Sequence, residues 1–322
     1  MPRLPHPPDA KRSAFKKFAA LALLPLALLF SSCEESKLFV LLNSDGSGRI
    51  NITEKVLTSH QGIQNQQVLQ AIAISTLGKF VEESEGVDAW EQLSFNFTPQ
   101  GDIVVSATAL FPDLAKLDLA TTAENQTLLK GLKFDPGDAA EKRPASIELL
   151  SPVKLVPQQK LPGGEPPAES VIAEELSKTR DVWAEQEVNF RSEYGRKKSR
   201  VTFHLPGEIS GSSNFIKEAK NQVYLEVRAQ KMIDSLDRMI GDDEVAKAIL
   251  ETGGKIMDND GAPPVKPNTF NELSFGEDKP IRVEFSGRTK FFDYDSAVIA
   301  ARENPGELMQ IIQEQIERTK NN

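Results

Sequence analysis

Apolar residues fall along this chain in three patterns, and each predicts a different kind of element. Phe18–Phe30, FAALALLPLALLF, is apolar without interruption. Other segments alternate with period two, the signature of half-buried strands. Leu38–Leu42 leads through the turn-rich NSDGSG into Ile50 and Ile52, which predicts a β-hairpin turned by Asn, Asp and Gly. Trp90–Thr98 and Ile103–Phe111 alternate around Pro99-Gln100-Gly101-Asp102 and run on into the turn Phe111-Pro112-Asp113-Leu114. Leu132–Phe134 and Ser146–Val153 predict a further pair. The third pattern is helical: Gln64–Glu83 places Val68, Ile72 and Leu77, with Phe80 and Val81, on one face of a helix of about five turns.

Residues 157–170, PQQKLPGGEPPAES, are rich in proline and glycine and read as a linker or surface loop. Beyond them, Val171–Glu187 is helical on Ile172, Leu176 and Trp183, with a turn to strand near Val188 and Phe190. Arg200–Leu205, Gln222–Val227 and Ile281–Phe285 read as strands. Met232–Ile240, Asp243–Glu251 and Pro305–Arg318 read as helices, Asp295–Arg302 is helical or ambiguous, and Asp258–Asn268 is a second loop. The sum is an α+β fold, with antiparallel sheets and helices packed on one face. The expected division is a signal segment (1–32), an N-terminal α+β domain (33–156), the 157–170 linker and a C-terminal α+β domain (171–322).

The uninterrupted apolar run changes the picture most. Lys11, Arg12, Lys16 and Lys17 precede it and Phe30-Ser31-Ser32-Cys33 closes it, the layout of a secretory signal. Thirteen helical residues rise about 20 Å, short of the roughly 30 Å a hydrocarbon core requires. Removal of the segment is therefore expected, rather than its retention as a span. Small residues before Cys33, the chain's one cysteine, resemble the lipobox of bacterial lipoproteins, in which that cysteine is lipidated and becomes the mature N-terminus. Phe30 departs from the pattern where leucine is usual, and an ordinary cleaved signal with a chance cysteine is the alternative. Glu34 is not the aspartate that marks inner-membrane retention in that pattern. The resemblance thus implies a lipid anchor at Cys33, in the outer or the cell membrane, with the body facing the periplasm or exterior.

Charge and rare residues then exclude whole classes of function. Residues 1–32 carry five positive side chains and one negative, so residues 33–322 hold a net −13 against −9 for the whole chain. Such acidity argues against nucleic acid as a partner and leaves membrane attachment to the acyl chains. With Cys33 acylated, no thiol remains for a disulfide, a nucleophile or a thiolate metal site. Past the signal only His60 and His204 remain, too few for a histidine zinc site. His204 alternates with Phe203 and Leu205 as an outward-facing strand residue. Neither a P-loop, a Rossmann fingerprint nor a Gly-x-Ser-x-Gly elbow occurs.

Asn43–Glu54, NSDGSGRINITE, fits an EF-hand loop on paper, with Asn43, Asp45, Ser47 and Glu54 as ligands and Gly48 at the sharp turn. Its flanks are strand-like, however, so a hairpin turn is the expectation and no metal or other cofactor is assigned. Tyr194–Arg200 is the one basic cluster outside the signal, either a solvated hairpin tip or a contact to phosphate headgroups beneath the tether. Asp242-Asp243-Glu244 reads as the acidic start of a helix.

Several segments together resemble the LppM-like family of bacterial envelope lipoproteins. They are the hairpin Leu38–Leu57, the helix Gln64–Glu83, the strand pair Trp90–Leu114, and Val201–Gly207 (VTFHLPG), Ser212-Ser213-Asn214 and Asn221–Val227 (NQVYLEV). That family's C-terminal transmembrane helix has no counterpart here. The resemblance implies a non-enzymatic α+β domain that binds an envelope lipid or glycolipid. From the residues themselves, the candidate wall of an apolar cleft is Val68, Ile72 and Phe80. A protein-binding adaptor, offering the acidic surface or the helix Leu308–Ile316 as a groove ligand, is the alternative, and a hydrolase built on buried carboxylates is a third.

Overall fold

The computed structural model describes residues 33–58, 65–120, 129, 132–138, 140–149, 168–244, 246–247, 271, 275–277 and 279–320. Residues 1–32, expected as a signal segment, the expected loop 258–268, most of the expected 157–170 linker and His60 lie outside the described residues.

Strands β1 (Cys33–Leu42) and β2 (Gly48–Val56) form the hairpin that the alternation predicts, in register from Leu42↔Gly48 down to Glu35↔Lys55, with a bulge before Cys33↔Val56. Its turn needs two glycines. Gly46 adopts φ +90°, and a Cβ on Gly48 would meet the Phe111 ring at 2.3 Å and the Leu41 carbonyl at 2.7 Å. Helix α1 (Gln66–Glu83) follows, capped by Asn65, whose side chain accepts from the Gln67 amide at 2.9 Å. Strands β3 (Ala89–Phe97) and β4 (Ile103–Phe111) form the second hairpin, and β4 pairs with β2.

Strand β1 also pairs with β7 (Lys198–His204), in parallel, and β7 continues through β10 (Gln222–Arg228) to the short edge strand β9 (Ile216–Ala219). The seven-stranded order is β3-β4-β2-β1-β7-β10-β9. A second sheet, β5-β6-β11-β8, combines β5 (Leu132–Asp135), β6 (Ala145–Leu149), β8 (Glu208–Ser213) and β11 (Ile281–Ser286), all antiparallel. Both sheets therefore take strands from each side of the 157–170 stretch. One continuous core joins them, through Val40, Ile52, Phe80, Phe111, Phe203, Ile147 and Phe285. The expected boundary between two α+β domains is not a boundary of the fold. The α+β architecture with two largely antiparallel sheets is as the sequence predicts.

Helix α2 (Glu169–Tyr194) runs straight through Val188 and Phe190, where a strand was expected, and leaves Val188 73% exposed. It packs on α3 (Ala229–Gly241), with the Trp183 indole N–H donating to Asp237 at 3.0 Å. Asp242 caps the helical residues that follow, accepting from the Glu244 amide at 2.9 Å. Near the C-terminus come α4 (Tyr294–Glu303) and α5 (Glu307–Lys320). Alternation along β4 separates their positions. Ala109 and Phe111 face the main core, with Met309 and Ile312 of α5, whereas Leu110 faces the other side, with Ala89 and Val298 of α4. Alongside the α1 and α5 that cover one face, the chain thus lays α4 on the opposite one and folds back around the edge of β3. No helix among the described residues is long and apolar enough to cross a membrane.

Fully buried Asn43 fastens this returning segment to the hairpin turn. Its side-chain amide donates to the Ser47 hydroxyl (3.1 Å) and the Phe292 carbonyl (3.3 Å), and its oxygen accepts from the Phe291 amide (2.9 Å). Replacing it by alanine (Asn43→Ala) strands these buried partners. The expected loss is about 2 kcal/mol, read as a lower urea midpoint with an unchanged slope.

Candidate functional site

Two concavities of the described surface lie toward the end of the seven-stranded sheet opposite Cys33. The first is an open polar hollow of about 780 Å³ lined by Asp45, Ser47, Asp88, Lys290, Asp293 and Tyr294, among others. Its carboxylates are held locally. Asp45 accepts from the Ser47 amide (3.1 Å) and hydroxyl (2.6 Å) and pairs with Lys290 at 2.9 Å. Asp88 accepts from the Tyr294 hydroxyl at 2.8 Å, and Asp293 caps α4 through the Ser296 amide (3.3 Å) and hydroxyl (2.9 Å). Desolvation pushes the Asp45 carboxyl up. The Ser47 bonds and Lys290 outweigh it and hold the group below the usual aspartate range, while Asp45 raises Lys290 in return. Burial and Asp88 raise the Tyr294 phenol. This hollow works as a latch between the hairpin turn and the C-terminal segment.

The second is a cavity of about 510 Å³ where α4 turns into α5 beside the edge of β3. Trp90, Leu93, Ala300, Ala301, Leu308 and Met309 supply apolar walls, and Gln92, Asn304, Glu91 and Glu307 the polar groups. Such a volume, with apolar and polar walls in nearly equal share, is of the size of a small-molecule site. Its geometry comes from a β-bulge. Register jumps from Glu91↔Thr108 to Ser94↔Ser106, so Gln92 and Leu93 together stand opposite Ala107. Gln92 takes the extra place at φ 38°, a left-handed conformation that favours glycine. Leu93 and Trp90 reach the core face, while Glu91 is held on the other face by Arg49, Nε to Oε2 at 3.0 Å. Arg49 also lies 4.9 Å from the centre of the Phe292 ring, which links the bulge to the latch.

The structure separates the residues singled out in sequence. Cys33 is the first residue of β1, with no linker between it and the sheet. The EF-hand-like ligands do not converge: Asn43 and Asp45 serve the turn, and Glu54 lies six residues down β2, about 20 Å from Gly48. Glu54 is buried on the core face, where the Ser36 hydroxyl donates to it at 3.4 Å. Among the described residues no three His, Cys, Asp or Glu side chains cluster as metal ligands. His204 is partly exposed between the rings of Phe39 (6.4 Å) and Phe291 (4.7 Å), centroid to centroid.

The expected cleft wall on α1 is corrected. The buried face is Leu69, Ala73, Leu77 and Phe80, so Val68 is 43% exposed and Phe80 is sealed in the core. Leu308, Met309, Ile312 and Ile316 of α5 pack on the protein's own core and are not free to dock in a partner's groove. The edge cavity was missed because no local pattern announces it. A bulge needs only one extra residue, and Gln92 carries none of the usual glycine signal. No family model, curated protein or solved structure matches this chain.

Two expectations follow from this geometry. Relaxing the bulge with Gln92→Gly should raise stability by about 1 kcal/mol in urea unfolding, and any loss would show that the Gln92 side chain holds the cavity together. For the latch, Asp45 has a folded pKa below its ordinary 3.8, so its contribution is present above that value and vanishes as pH falls through the folded pKa. Raised Lys290 extends the pairing upward past 10.5. Asp45→Asn should therefore lower the melting temperature between about pH 5 and 9 and converge on wild type as pH falls through the folded Asp45 pKa.

Proposed function

We propose that this chain is an acyl-anchored lipoprotein of the bacterial envelope, and that its body binds an envelope amphiphile rather than transforming one. The lipobox-like ending at Cys33 supports the anchor. The order hairpin, helix, strand pair, in β1-β2-α1-β3-β4, is compatible with the LppM-like reading. One observation carries the ligand assignment: the cavity at the β3 edge, where a left-handed non-glycine residue frames a hollow walled by Trp90, Leu93, Leu308 and Met309. With Glu91 neutralised by Arg49, the rim carboxylate Glu307 favours an uncharged or cationic head over an anionic one, and the side-chain amides of Gln92 and Asn304 can bond hydroxyls such as those of a glycolipid. The grouped carboxylates of the polar hollow hold structure in place, which supports binding over hydrolysis.

The chain has two tryptophans, so Trp183→Phe leaves Trp90 in the cavity wall as the sole indole. A non-ionic glycoside with a brominated alkyl chain should quench Trp90 saturably below its micellar concentration, and Leu308→Phe, which fills the cavity without adding an indole, should weaken the effect. Failure of the chain to quench Trp90 would remove the lipid reading and leave the adaptor. Separately, radiolabelled palmitate fed to a bacterial host should label the wild type and not Cys33→Ser.

A further inference from the structure

The strand register gives the seven-stranded sheet two ends, and the Cys33 end has a chemistry of its own. Val56 of β2 is paired with Cys33 itself, and Lys55 is opposite Glu35. On the other side Lys198 of β7 stands beside Glu35, and Arg228 of β10 is opposite Lys198. Exposed Arg196 and buried Lys197 lead into β7, and the Lys197 carbonyl accepts the Ala229 amide. Five cations (Lys55, Arg196, Lys197, Lys198 and Arg228) thus crowd this end. They face Glu35, buried Glu54, Asp102 and Glu226, with Lys55–Asp102 at 3.3 Å, Lys198–Glu226 at 3.2 Å and Arg228 also on Glu226. The end is close to neutral on a body of net −13. At the opposite end Asp45, Asp88, Asp113, Asp293 and Asp295 outnumber Lys116, Lys290 and Arg302.

We propose that the Cys33 end of the seven-stranded sheet is a membrane-docking surface: the strands stand upright on the bilayer, with Gly195–Lys198 against the phosphate headgroups. The proposal rests on the acyl anchor. With no residue between that anchor and β1, the sheet end cannot leave the headgroup layer without fraying its central strand. An anionic surface then meets the near-neutral end and exposed Arg196, while the acidic faces point away. Ten strand residues place the 43–47 turn about 30 Å above the headgroups, and the β3-edge cavity roughly 20 Å above them.

Acylation of Cys33 leaves no other thiol, so a single introduced cysteine can carry a fluorophore. Gln230→Cys lies beside Gly195 at the docking end, and Ala115→Cys is exposed at the far end. The lipidated full-length mature protein is reconstituted in phosphatidylethanolamine–phosphatidylglycerol vesicles containing a headgroup nitroxide lipid. Quenching at 230 should exceed that at 115 several-fold, and Arg196→Glu should at least halve it. Equal quenching at the two positions, or none at either, in protein recovered with the vesicles would overturn the upright docking while keeping the anchor. No effect of Arg196→Glu would overturn the headgroup contact. Protein that does not recover with vesicles at all would overturn both the docking and the anchor beneath it.

Discussion

The structure depends on the double pairing of β1. One edge of this strand makes an antiparallel ladder with β2, and the other a parallel ladder with β7, more than 150 residues later. Every strand of the large sheet is placed relative to these two ladders. Core side chains Leu38, Val40 and Leu42 alternate along β1 into the common core, while Ser36 turns the same face toward buried Glu54. A strand buried in the middle of a sheet is the slowest part of a fold to open, because its hydrogen bonds break only when both neighbours leave. That the same strand begins at Cys33 couples the proposed anchor to the most stable part of the molecule.

Much of the local structure was legible in the sequence, because alternation and turn chemistry act over a few residues. The hairpins β1–β2 and β3–β4, the β5–β6 pair and helix α1 follow from that. What acts over distance was not legible. CEES at the start of β1 is polar, and only pairing with Val56 and Lys198 makes it strand. Nothing in VTFHLPG says that β7 will lie beside residues 35–41. Val188 and Phe190 have strand propensity, but they sit in a helix that Trp183 and Arg191 fasten to α3 through Asp237 and Asp234. The apolar face of α1 is legible at Leu77 and Phe80, which are fully buried, and at Ile72 and Val81, which pack against the core, but Leu69 and Ala73 turn inward where Val68 stays exposed. Cys33 was singled out only by the lipobox-like residues before it, and its acylation stands as a proposal.

The β3-edge cavity and the latch belong to one device. Folding α4 onto one face of β3–β4 and α5 onto the other leaves an elbow at Asn304–Gly306 that must be held against the sheet edge. Asn43, Asp45 and Asp88 hold the segment at the hairpin end, Arg302 donates to the Asp88 carbonyl at 2.8 Å, and Met309 and Ile312 hold it at the core. The space between these fastenings is the cavity. Its bulge bends the exposed edge of β3, which also discourages pairing with another chain. Strain at Gln92 is tolerated because the surroundings are fixed on both sides.

Amide hydrogen exchange on the lipidated full-length protein, followed peptide by peptide, tests the central claim most directly. If β1 is the middle strand of the sheet from its first residues, amides between Glu35 and Leu42 exchange as slowly as those of β2 and β7, at the rate of global unfolding. Fast exchange from Glu35 to Leu38, with protection starting only near Phe39, would contradict it and make the first residues after Cys33 a tether rather than a strand.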